Sequence, residues 1–95
     1  MIAPPTHLDG ARVLRYAISR HGCFYLVGNQ AQEWVPVAAM AICRYDGSDV
    51  FYLFKCAPDW DVMHDDDHAS VDEAMQAAAR QAERETPQWI IVSGD

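Results

Sequence analysis

The chain is short of positive charge. Seven Lys and Arg stand against fourteen Asp and Glu, for a formal net charge of −7. No Lys or Arg falls between Lys55 and Arg80, a stretch that holds seven acids. Proteins grip phosphate backbones with Lys and Arg, so nucleic-acid binding is disfavoured, as is docking on an anionic membrane. The acidic stretch either projects a negative field that suits a basic partner or a cation, or is a solvated loop kept soluble by its charge. Cysteine is scarce and odd in number. Cys23, Cys43 and Cys56 lie in apolar runs with no CxxC pair, which speaks against a disulfide frame or a zinc knuckle. They read as small buried hydrophobes in a reducing, cytoplasmic setting. No apolar run approaches the roughly 18 residues of a membrane span. The opening MIAPPTHLDG has neither the positive start nor the apolar run of a signal peptide. Phosphate-binding loops, nucleophile elbows and dinucleotide fingerprints are also missing, so no cofactor is expected.

What is there is enough for one domain. Ninety-five residues, 51% of them apolar, support a single core over 1–95, with residues 1–10 as an extended arm. In RVLRYAIS the alternation of Leu14, Tyr16 and Ile18 with Val13, Arg15 and Ala17 predicts a strand. Gly22 marks a turn, and CFYLVG (23–28) is expected to return beside that strand. Residues 35–45 are read as a strand leading into the DGSD turn at 46–49. VFYLFKC (50–56) is the clearest strand, aromatic and bounded by turns. WDVM (60–63) is a short edge strand, and QWIIV (88–92) is a last strand or a docking tail. The helix is announced by Ser70-Val71-Asp72-Glu73, a capping box in which the Ser70 hydroxyl accepts from the Glu73 amide and the Glu73 carboxylate reaches back to Ser70. Ala-rich sequence follows, with Val71, Met75, Ala78 and Ala82 on one face. Thr86-Pro87 closes it. The expected fold class is α+β: an antiparallel sheet of about four strands with one long C-terminal helix packed on one face.

The stretch DWDVMHDDDHAS (59–70) gathers the chemistry. A calcium loop needs an acid at its fifth position, a glycine at its sixth and an acid at its twelfth. Counted from Asp59 these are Met63, His64 and Ser70, so the loop fails. His64 and His68 would align on a helix to hold zinc, but the capping box starts the helix after both. No metal site is therefore expected. Asp65 can orient His68 as a general base. The only nearby nucleophile, Ser70, is committed as a cap, and the cysteines lie in strands where a thiol stays protonated. No catalytic residue is assigned. Of Trp34, Trp60 and Trp89, Trp60 sits between two aspartates and is the expected exposed anchor. The candidate interaction surface is Asp59, Trp60, Asp65 and His68, with Ser70 and Glu73 as a structural cap.

The run YLFKCAPDWDVMHDDDHASVDEAMQAA resembles a family of small uncharacterised bacterial proteins whose pattern reads roughly YLFxCDxDWNVxxDTxHxSxxEAxxQAE. Phe51 to Phe54, Cys56, Asp59, Trp60, Val62, Asp65, His68, Ser70, Glu73 and Ala74 match it, and AICRYDG (41–47) matches more loosely. Ala57, Asp61 and Asp66 depart from it. The resemblance covers about a third of the chain and implies no activity, but it gives Asp65 and His68 more weight than His64. A second likeness is to HicB-type antitoxins, which also run a strand hairpin into a T/S-x-E-E-A helix and neutralise a partner. Their glycine and proline turn is missing here.

These readings together predict a small acidic, non-enzymatic protein-binding module, a homodimer with a basic protein partner. The alternatives are a metal-dependent or hydrolytic enzyme centred on Asp65 and His68, and an antitoxin- or immunity-type protein.

Overall fold

Asp9-Gly10 is an aspartate–glycine pair between two apolar segments, the strongest short-range hairpin signal. Both residues have positive φ, 49° and 83°. They join β1 (His7–Leu8) to β2 (Ala11–Ile18), so the second half of the expected arm is a strand. The chain then makes β3 (Leu26–Gly28), β4 (Trp34–Pro36), β5 (Ala39–Arg44), β6 (Phe51–Cys56), β7 (Val62–His68), α1 (Val71–Gln81) and β8 (Ile90–Ile91). The computed structural model describes residues 1–92.

Among the described residues, the main sheet is curled and antiparallel and has six strands in the order β1-β2-β5-β6-β7, with β8 also pairing β2. The expected count was about four. The additions are β1, β8 and an acidic stretch that forms a full strand instead of a short edge and a loop. Residues 23–28 do not return beside β2. β3 pairs β4 in a separate two-stranded sheet, and Phe24 N–H bonds the Val37 carbonyl at 2.8 Å.

Alternation along each strand divides the core into two faces. Met40, Ile42 and Leu53 point toward the helix and pack with Phe24, Val37, Ala74, Ala77 and Ala78. The helix meets the sheet through its alanines, of which Ala74 and Ala78 are fully buried. Ala39, Ala41, Cys43, Phe54 and Cys56 point the other way, with Leu8, Val13 and Trp60. The chain itself closes that second face. Trp60 donates its indole N–H to the Ile2 carbonyl at 2.9 Å and sets its ring edge-on to Tyr16 at 5.9 Å. The Tyr45 hydroxyl donates to the Asp9 carbonyl at 2.8 Å.

The helix is 11 residues long, not the long helix expected. Its end is tertiary in origin. Ala82 turns extended at φ −75° and ψ 109°, and the Glu83 and Arg84 amides both bond the Phe24 carbonyl instead of continuing the helical ladder. Glu85 then anchors the descending chain to the end of β2. Its carboxylate accepts the Ser19 hydroxyl at 2.5 Å and the Arg20 amide at 3.2 Å. No helix is long and apolar enough to cross a membrane, among the described residues.

Candidate functional site

β7 ends the sheet, and among the described residues it pairs with β6 alone. Its own alternation sorts the acidic stretch. His64, Asp66 and His68 stand opposite Lys55, Leu53 and Phe51 on the helix side. Asp65 and Asp67 oppose Phe54 and Tyr52 on the other side, and both are exposed. Asp65 and His68, coupled in the sequence reading, therefore point to opposite faces of one strand. The carboxylate that holds His68 belongs to Asp66, whose Oδ2 lies 2.5 Å from Nε2. The other Asp66 oxygen is paired with the ammonium of Lys55.

Lys55 is the chain's single lysine, and it is only 5% exposed. Burial pushes its pKa down to about 8, with the neighbouring Asp65 charge opposing the shift. A cation in this position needs its counter-ion, and Asp66 supplies it. Sequence reading missed both residues. Their signal was there: Phe51, Leu53 and Lys55 share one face of the clearest strand, so the lysine must enter the core.

Trp60 was expected to be an exposed anchor and is 6% exposed instead. Its backbone sits at φ 67°, a conformation that costs a non-glycine residue about 1–2 kcal/mol. That turn swings the indole inward, where burial and the bond to Ile2 offset the strain. Asp59 and Asp61 are left outside, tied together by the Asp61 amide donating to Asp59 Oδ1 at 3.0 Å. The exposed tryptophan is Trp34, at 73%, beside Leu26 on the outward face of the β3–β4 hairpin. Trp89 is half-buried against the helix-side core.

Ser70 caps α1, accepting from the Glu73 amide at 3.0 Å. Glu73 reaches back one residue further than expected, to the Ala69 amide at 2.6 Å. His64 bonds the Gly28 carbonyl through Nε2 at 2.9 Å, so His64 and His68 serve different neighbours. No group of three or more His, Cys, Asp or Glu is placed to hold a metal ion, among the described residues. Burial pushes the Cys56 thiol up to about 12, helped by nearby aspartates, and raises Cys43 as well. Both thiols are inert as nucleophiles at neutral pH.

Two hollows adjoin β7. A cleft of about 700 Å³ lies between residues 28–31 with Val35 on the hairpin and residues 61–64 at the start of the strand. A shallower one of about 330 Å³ lies at the other end, where His68 is surrounded by Asp49, Asp67 and Glu73. Carboxylates around the second repel anionic substrates. Comparison with protein-family models, with curated proteins and with solved structures gives no significant match.

Proposed function

We propose that the chain is a small acidic, non-enzymatic protein-binding module that docks a basic partner, in extended form, along the outer edge of β7. The observation that carries this is the edge itself: a seven-residue strand with one neighbour among the described residues, Asp65 and Asp67 exposed on it, and the larger cleft at its start. An unpaired strand edge is a template for another strand. Carboxylates on it keep identical acidic chains away and reverse their effect for a cationic one. Asp59 extends the acidic surface, while Trp60 stiffens the turn behind it. An antitoxin- or immunity-type role, neutralising a basic protein, uses the same surface. The buried thiols suit a reducing, cytoplasmic setting.

The enzyme alternative draws less support, because Asp65 and His68 point to opposite faces of β7. A homodimer is favoured by β8, which shares the opposite edge with β1, carries no charge and has Ile90 and Ile91 51% and 61% exposed.

The test is capture from host lysate by immobilised protein, run in parallel with Asp65→Lys/Asp67→Lys. A basic partner that is released by salt and missed by the variant is expected. Retention of the same partner by the variant, or a partner that is acidic, overturns the reading.

A further inference from the structure

We propose that the cleft at the start of β7 receives an arginine side chain of the docked partner; the inference rests on the edge-strand reading above. The cleft's volume of about 700 Å³ falls within the range of roughly 300–1,000 Å³ typical of ligand sites. Its walls and its mouth differ in chemistry. Val35, Val62 and Met63 are half-buried and give an apolar channel, which suits the methylene stem of a long side chain. Asp61 and Gln30 are exposed at the rim and offer a carboxylate and an amide oxygen.

The local backbone builds this arrangement. Lys55 pairs with His64 and Cys56 with Val62, so Met63 is an extra residue in β7. A bulge of this kind bends its strand and re-aims side chains, and here it puts Met63 on the cleft side. Asp61 stands on a turn fixed at three points: its amide on Asp59, its carbonyl on the Ala57 amide at 2.9 Å, and the Trp60 amide on the Ala57 carbonyl at 2.9 Å. These bonds fix the backbone from which the Asp61 side chain projects at the rim. No Lys or Arg lines the cleft. The nearest ladder cation, Lys55, is held by Asp66.

A guanidinium fits better than an ammonium. Its planar fork engages a carboxylate through two donors and has further N–H groups for the Gln30 amide oxygen. Side chains of an added strand alternate, so one arginine enters the cleft while its neighbours point away.

The experiment is a titration of isotope-labelled protein, followed by amide chemical shifts, with a capped peptide alternating valine and arginine. A second peptide replaces each arginine by citrulline, which keeps the shape and removes the charge. Shifts are expected along β7 with the arginine peptide, with affinity at least about tenfold above that of the citrulline peptide. In Asp61→Asn that preference should fall severalfold, to what Asp65 and Asp67 supply, while the citrulline affinity stays unchanged. Equal binding of the two peptides at β7, or an arginine preference that is undiminished in Asp61→Asn, overturns the cleft assignment and leaves the edge-strand reading standing. If neither peptide moves the β7 amides, both fall.

Discussion

Lys55 and Asp66 lie diagonally across the β6–β7 ladder, and the carboxylate neutralises the ammonium on the face that packs under the helix. Removing one partner of a buried pair costs more than the pair contributes, because the other charge is stranded. Asp66→Ala should therefore cost about 3 kcal/mol, the lower end for buried pairs, since the Asp66 side chain is 30% exposed. Lys55→Met should cost much less. Urea denaturation measures both, and equal small losses would mean that the pair bears no load. The lysine also gives a pH signature. Its folded pKa of about 8 lies below its ordinary 10.5, so the unfolded chain binds more protons between these values. Burial of Cys43 and Cys56 works against this, since their unfolded thiols ionise in the same window, so the lysine's contribution is read as the stability of the native chain relative to Lys55→Met, which should rise with pH there.

Glu85 gives a dependence of the same sign, in an acid window. The Ser19 hydroxyl, then the Arg20 amide and guanidinium, hold its carboxyl below its usual range. A depressed carboxyl contributes stability that is present above its unfolded pKa and is lost as pH falls through the folded one. Glu85→Gln should lower the denaturation midpoint at neutral pH and narrow its gap to the native protein on the acid side. A constant gap from neutral to acid pH would show that the clamp does not depend on charge.

Ser70→Ala should cost about 0.5–2 kcal/mol, the usual loss for an N-cap, and leave binding intact. An unchanged midpoint, read by the helical circular dichroism signal, would show that the cap is dispensable.

The elements with strong local signals were legible in the sequence. Period-two alternation marked β2, aromatic content between turns marked β6, and the capping box marked the start of α1. The elements that were not legible depend on distant partners. Asp65-Asp66-Asp67 has poor strand propensity, yet an edge lets two of these carboxylates face water and Lys55 neutralises the third. Trp60 reads as exposed between aspartates, and what buries it is a backbone turned to positive φ and a carbonyl at Ile2, 58 residues away. The helix has good propensity past Gln81, but Phe24 and Ser19 capture residues 83–85. The sorting of β7 into two faces follows from its being a strand, so the Asp66–His68 pairing stayed hidden behind Asp65.

The two edges of the main sheet make contrasting predictions for self-association. β7 carries three aspartates, and a second copy brought against it meets like charge. β8 carries none. Ile90 opposes Tyr16 and Ile91 opposes Arg15, so the two isoleucines sit on opposite faces of the sheet, and each is more than half exposed. Two copies related by a two-fold axis can lay β8 against β8 in antiparallel register, burying isoleucine on both faces and joining their sheets. The second sheet face is covered by the N-terminal arm and Trp60, so only the edge argues for a dimer. A dimer mass is expected by light scattering over a dilution series reaching about 100 µM. Ile91→Lys should return the chain to a monomer with its fold intact, because the site is exposed. A native chain that stays monomeric throughout the series would mean that this apolar edge stands alone in solution, and the partner at β7 would then meet a single copy.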